Sequence, residues 1–191
     1  MIKKAILVIM IAMFTFIGKS YAEMSYGISG ALTKIEASGT ETEGGEKNST
    51  DVDNVVVIPS VFAEYAYSST LSIGLDYIPL KADVSDRTKQ RSDTETSVTG
   101  TAAETTTSRT QKAQAELKNH LTLYGNYSLN DSFFLKAGVA YVTLETDESL
   151  GTGSKYGNLD IYGGVFGVGA QQDNHRFEVV YTDYEDISLT S

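Results

Sequence analysis

Apolar residues recur at every second position through seven stretches of the chain, with small or polar residues between them. A period of two puts each set on its own side of a β-strand, so the pattern predicts seven strands, each with one greasy face. The first runs from Met24 to about Glu36 and sets Met24, Tyr26, Ile28 and Leu32 against Ser25, Gly27, Ser29 and Thr33. The second, about 54–67, sets Val57, Val61, Ala63, Tyr65 and Tyr67 against Ser60, Phe62 and Glu64. Leu71, Ile73, Leu75 and Tyr77 line the third, Leu71 to about Val84, opposed by Ser72, Gly74 and Asp76. In the fourth, about 114–129, Leu117, Leu121, Leu123, Tyr127 and Leu129 oppose Glu116, Lys118, His120, Thr122, Tyr124 and Asn126. The fifth, from Phe133 to about Thr146, has Phe133, Leu135, Ala137, Val139 and Tyr141 on its apolar face. In the sixth, 158–170, the two faces differ little; Leu159, Ile161 and Val165 are assigned to the apolar side because the alternative sends Asp160 there. The seventh, Arg176 to about Tyr184, presents Phe177, Val179 and Tyr181.

The connections alternate too. Residues 37–53, 85–112 and 147–157 are long and polar, whereas 68–70, 130–132 and 171–174 are only long enough to turn the chain. The composition of 85–112 predicts a segment without enough apolar surface to order itself. Centring the short turns on Ser69 and Asp131 brings apolar faces together rung by rung: Tyr65 with Ile73, Ala63 with Leu75, Leu123 with Val139. A slip of one residue would destroy that match. For the third hairpin, a turn centred on Asp173 sets Val165 against Tyr181; one residue tighter, Phe166 would meet Val179. The two prolines, Pro59 and Pro79, fall opposite each other, and since neither can donate to a ladder, pairing should break or bulge there. Short connections at one end and long ones at the other predict an up-and-down antiparallel transmembrane β-barrel; a soluble sandwich has no reason to sort its connections.

Ahead of the strands, Lys3 and Lys4 precede an apolar run from Ala5 to Ile17, then Ser20-Tyr21-Ala22. This reads as an export leader, 1–22, cleaved to leave a barrel domain at 23–191. The run falls short of the roughly 20 residues that a membrane helix needs, and no longer one follows, so any crossing must be made by strands. Losing Lys3, Lys4 and Lys19 takes 15 basic residues to 12 against 25 acidic, moving net charge from −10 to −13. Such a balance disfavours nucleic acid as a partner. Without cysteine, disulfides and thiolate metal sites are excluded.

The polar faces carry the candidate chemistry. Glu64, Asp76, Glu116, Lys118, His120, Lys136, Asp160, Arg176 and Glu178 are expected inside the tube. Glu64, Lys136, Arg176 and Glu178 form a lower layer near the short turns, and Glu116, Lys118, His120 and Asp160 an upper one. Eight strands leave room only for side chains, so these charges are read as a paired network that plugs the lumen. The apolar side carries Tyr26, Tyr65, Tyr67, Tyr127, Phe133 and Phe177 near the short turns and Tyr77, Tyr141 and Tyr181 higher, as two aromatic girdles at membrane interfaces require.

The leader, the sets Leu71-x-Ile73-x-Leu75-x-Tyr77 and Leu135-x-Ala137-x-Val139-x-Tyr141, and the sorted connections together resemble the small outer-membrane barrels of Gram-negative bacteria, the OmpA and OmpX type. The resemblance spans 23–191 and is one of pattern. It implies eight strands, periplasmic turns and extracellular loops. Only seven strands are visible, and the chain stops at Leu189-Thr190-Ser191 where this family ends on an aromatic, so the sequence is expected to be a fragment lacking the last strand.

The functional expectation is a monomer with a structural or surface-interaction role, whose partners are outer-membrane lipid and lipopolysaccharide, the barrel-assembly machinery, and an extracellular ligand held by the loops. No cofactor, metal or catalytic residue is expected. The competing reading is a lipid-modifying enzyme or a narrow solute channel. His120 is its candidate, but the triad's serine has no place nearby, Thr122 standing there instead. The acidic stretches Asp147-Glu148 and Asp183-x-Glu185-Asp186 do not space as a calcium loop, and Asn48-Ser49-Thr50 matches a glycosylation acceptor without meaning in a bacterial setting.

Overall fold

The structure, a computed structural model, describes residues 8–19, 24–43, 46–84, 89–99, 103–149 and 157–187. Alternation this regular leaves the chain one way to pair its backbone groups, and all of the described regular structure is β. In chain order the strands are β1 (Val8–Lys19), β2 (Met24–Glu43), β3 (Glu46–Ala66), β4 (Leu71–Ile78), β5 (Ala82–Asp83), β6 (Lys89–Thr99), β7 (Ala103–Ser128), β8 (Phe133–Ser149), β9 (Leu159–Gln172) and β10 (His175–Tyr184). Every pairing is antiparallel. The path β4–β3–β2–β1–β10–β9–β8–β7 comes back to β4, so eight strands close a ring. β5 prolongs β4, and β6 folds back on the upper half of β7.

The hairpin registers follow the apolar sets. Tyr65 pairs with Ile73, Ala63 with Leu75 and Val61 with Tyr77 across β3–β4, and Leu123 pairs with Val139 across β7–β8. The β3–β4 ladder ends at Val61–Tyr77, below Pro59 and Pro79, and β5 resumes on β7 at Ala82, three residues beyond Pro79. The prolines thus stop the ladder where neither can supply an N–H.

Four features of the wall go beyond or against the sequence pattern. The eighth place is filled, and by β1, which lies within the segment read as a leader. The leader's basic start and the Ser20-Tyr21-Ala22 site lie outside the described residues. Second, residues 37–53 and much of 85–112 continue as ladders, out to Glu43–Glu46 and Thr99–Ala103. A hairpin that grows from an existing sheet needs no core of its own, and Thr and Ser suit the extended chain. Third, β7 carries a bulge between Lys118 and Leu121, with Asn119 at φ 55°. An extra residue there switches the faces, so Leu117 turns inward and is buried while Glu116 and Lys118 leave the interior. Fourth, β9 faces opposite to expectation. Tyr162, Phe166 and Val168 are outside and Ile161 and Val165 inside, because a two-residue turn, with Asp173 at φ 54°, pairs Phe166 with Tyr181 and Val168 with Val179.

Outward positions are apolar on the wall strands β2, β3, β4, β7, β8, β9 and β10. Leu75 is 44% exposed, Leu123 51% and Val139 59%. Tyr26, Tyr65, Tyr67, Tyr77, Tyr127, Phe133, Phe177 and Tyr181 are exposed on the same surface, while Tyr141 is partly covered by Tyr162, 5.4 Å away between ring centroids.

Candidate functional site

Inside the ring, chemistry is layered by height. Just above the short turns, β3, β8 and β10 bring Glu64, Lys136, Arg176 and Glu178 together, all buried. The Arg176 guanidinium donates twice to Glu64, Nη1 to Oε2 at 2.8 Å and Nη2 to Oε1 at 3.1 Å, and its Nη1 lies 3.5 Å from Glu178. Lys136 pairs with Glu178. Two cations and two anions cancel, which is the condition for burying charge at all. Ser72, Tyr124 and Asn126 also donate to Glu64, at 2.8, 3.2 and 2.9 Å, so that carboxylate accepts five hydrogen bonds. The flat faces of Tyr124 and Phe134 cover the cations: Lys136 Nζ is 4.0 Å from the Tyr124 centroid and the Arg176 guanidinium carbon 5.1 Å from that of Phe134.

Glycines make room for those rings. A Cβ at Gly74 would stand 2.3 Å from the Tyr124 ring, and one at Gly169 would stand 2.2 Å from Phe134. The sequence reading placed Gly74 and Tyr124 inward on separate strands, but only the β4–β7 register puts them on one rung.

Above this layer Ser60 donates to Asp76 at 2.7 Å, which leaves Ser29 to donate to Ser60. A cavity of about 30 Å³ follows, bordered by Asp76, Thr122, Lys136 and His120. His120 Nε2 lies 2.6 Å from the Tyr184 hydroxyl, and its Nδ1 is buried with no partner. Higher still the interior is aliphatic: Ile35, Ile58, Ile78, Leu117, Val142, Leu144, Ile161 and Val165 form one cluster.

Of the nine residues expected in the lumen, six are there: Glu64, Asp76, His120, Lys136, Arg176 and Glu178. Glu116, Lys118 and Asp160 are at the rim. Lys81 bridges Glu116 and Glu145 at 2.9 Å each, and Lys118 pairs with Glu145 at 2.9 Å. Asp160 is exposed and accepts from Tyr141 at 2.9 Å and Thr143 at 3.0 Å. Of the expected upper charged layer only His120 stays inside, and above it hydrocarbon fills the interior, a consequence of the β7 bulge and the reversed β9.

No family model matches the chain. Searches among curated proteins and among solved structures likewise find no match.

Proposed function

We propose that this chain is a small outer-membrane β-barrel of the OmpA and OmpX type, with short turns in the periplasm and long polar loops outside the cell. Its role is structural or surface-interactive. One observation carries the reading: the distribution of polarity is inside out. Four mutually cancelling charges are buried in the interior, while Leu75, Leu123, Val139 and their apolar neighbours on β2, β3, β4, β7, β8, β9 and β10 face away from it. A water-soluble barrel would lose by both choices, since exposed apolar area costs roughly 25 cal/mol per Å² and buried charge must be desolvated. In a bilayer the first cost becomes a gain.

The aliphatic cluster above the ion pairs supports a closed lumen rather than a pore. A cavity of about 30 Å³ is room for a water or two and no solute. Contact with lipid, lipopolysaccharide and an extracellular ligand then falls to the outer wall and the loops. Fractionating cells that express the chain, and then extracting the membranes, tests the reading. Recovery in the outer membrane only with detergent, a silent planar bilayer, and loss of surface attachment on trimming residues 37–53 or 85–112 would support it. A compact monomer soluble without detergent would refute it.

A further inference from the structure

Among the described residues three carboxylates are buried inside the ring, Glu64, Asp76 and Glu178, but only two permanent cations, Lys136 and Arg176. Arg176 is committed to Glu64 and Lys136 to Glu178. Asp76 pairs with neither, and its hydrogen-bond partner among the described residues is the Ser60 hydroxyl, 2.7 Å from Oδ2. With every carboxyl ionised, this interior would hold one negative charge in excess. A buried carboxylate without a counter-ion costs enough that it is neutralised instead.

A second group in the same place is also incomplete. Asp76 shares a rung with Thr122, and Ile78 shares the next inward rung with His120, so Asp76 and His120 are diagonal neighbours across β4 and β7. Such a diagonal spans about 7–8 Å between backbones. His120 is buried, its Nε2 is engaged by Tyr184, and its Nδ1 has no partner. Both Asp76 and His120 border the cavity of about 30 Å³, which has room for a water and the polar neighbours to hold one. A hard metal cation fits poorly, because it asks for about six oxygen ligands and the Lys136 side chain borders the same space. The cavity also lies against the end of the β3–β4 ladder, with Ile58 and Ser60 on one side and Asp76 and Ile78 on the other.

We propose that this cavity is a hydrated single-proton site, in which one water bridges Asp76 and His120 and the proton that neutralises the interior is shared between them. The proton comes from bulk water. It forms an O–H bond at Asp76 Oδ1, the oxygen that Ser60 leaves open, or an N–H bond at His120 Nδ1, and no bond of the protein breaks. In the first form the acid donates to the water and the water donates to Nδ1; in the second the imidazolium donates through the same water to the carboxylate. The other titratable or charged groups around the pair are Glu64 from β3, Tyr124 from β7, Lys136 from β8, and Arg176, Glu178 and Tyr184 from β10. The buried positions of β2 and β9 bring none. The site rests on the interior alone and does not depend on the membrane reading.

The test uses the full chain folded in detergent, with gel mobility of unheated samples reporting the fold. Infrared spectra at neutral pH, with carbon-13 in the aspartate carboxyls, should show one protonated-acid stretch that shifts in heavy water and is lost in Asp76→Asn. Nitrogen-15 spectra read the other form: the chain has two histidines, and His175→Gln leaves His120 as the only ring signal. An imidazolium at His120 in place of the acid band also supports the site, and in either form magnetisation should pass from water to the ring. An ionised Asp76 beside a neutral His120 in the folded barrel overturns the proposal, as does a ring that receives nothing from water. Exchanging sodium and potassium for choline should leave all of these signals unchanged. If an acid band or an imidazolium appears only after that exchange, a metal ion supplies the missing charge and the proton site is refuted.

Discussion

Replacing Arg176 by methionine tests the interior ion cluster most directly. The substitution keeps an unbranched, flexible side chain but removes the guanidinium that donates to both oxygens of Glu64 and lies 3.5 Å from Glu178. Glu64 would remain buried with three neutral donors, Ser72, Tyr124 and Asn126, and the cluster would carry one uncompensated negative charge beside the Lys136–Glu178 pair. Removing one partner of a buried pair typically costs about 3–5 kcal/mol. Three surviving donors argue for the lower end, about 3 kcal/mol, since each hydrogen bond to a charged group contributes about 1.5–3 kcal/mol. Removing both charges, Arg176→Met with Glu64→Gln, restores neutrality, and the double variant should recover about half or more of that loss. The assay is reversible urea unfolding from lipid vesicles, followed by Tyr fluorescence and by gel mobility of unheated samples, with unchanged denaturant dependence confirming that the same surface is exposed. A single-variant cost below about 1 kcal/mol, or a double variant that loses the sum of the two singles, would refute the argument that mutual neutralisation is what lets these charges be buried.

Gly169→Ala drives a methyl group to 2.2 Å from Phe134 and should cost about 1–3 kcal/mol, relieved by adding Phe134→Leu, whereas Gly30→Ala, with nothing within 4 Å, should stay within about 0.5 kcal/mol in the same unfolding assay. Asn119→Val puts a β-branched residue at φ 55° and should cost about 1–2 kcal/mol, while Asn119→Gly should be tolerated; equal effects would show that the bulge does not hold Leu117 inward. At the rim, hydrogen bonds from Lys118 and Lys81 hold the Glu145 carboxyl below its ordinary 4.5. The stability that this pair adds is therefore present above pH 4.5 and lost as pH falls through the lowered value. A carbon-detected NMR titration should place the Glu145 midpoint below 4.5 and move it up on Lys81→Ala; no movement would deny the bridge.

The wall was legible in the sequence wherever one face of a strand is uniformly apolar. Leu71 to Tyr77, Phe133 to Tyr141 and Phe177 to Tyr181 face outward as their alternation requires, and the β3–β4 and β7–β8 registers followed from matching those faces. The same alternation put Glu64, Asp76, His120, Lys136, Arg176 and Glu178 inside. It misled in β9, where glycines stand at four positions, Gly163, Gly164, Gly167 and Gly169, and bulk marks neither face clearly. It misled again above Asn119, where one added residue reverses the parity of everything beyond it.

Local chemistry, then, determined which residues seek water and which avoid it, because a period of two is imposed by the backbone of any strand. Tertiary structure decided what meets across the barrel. That Arg176 reaches Glu64, 112 residues away, that Tyr124 lies over Gly74, and that β1 stands between β2 and β10 all depend on the stagger at which the ring closes. Closure is a property of all eight strands together, and no window of sequence shorter than the whole ring contains it.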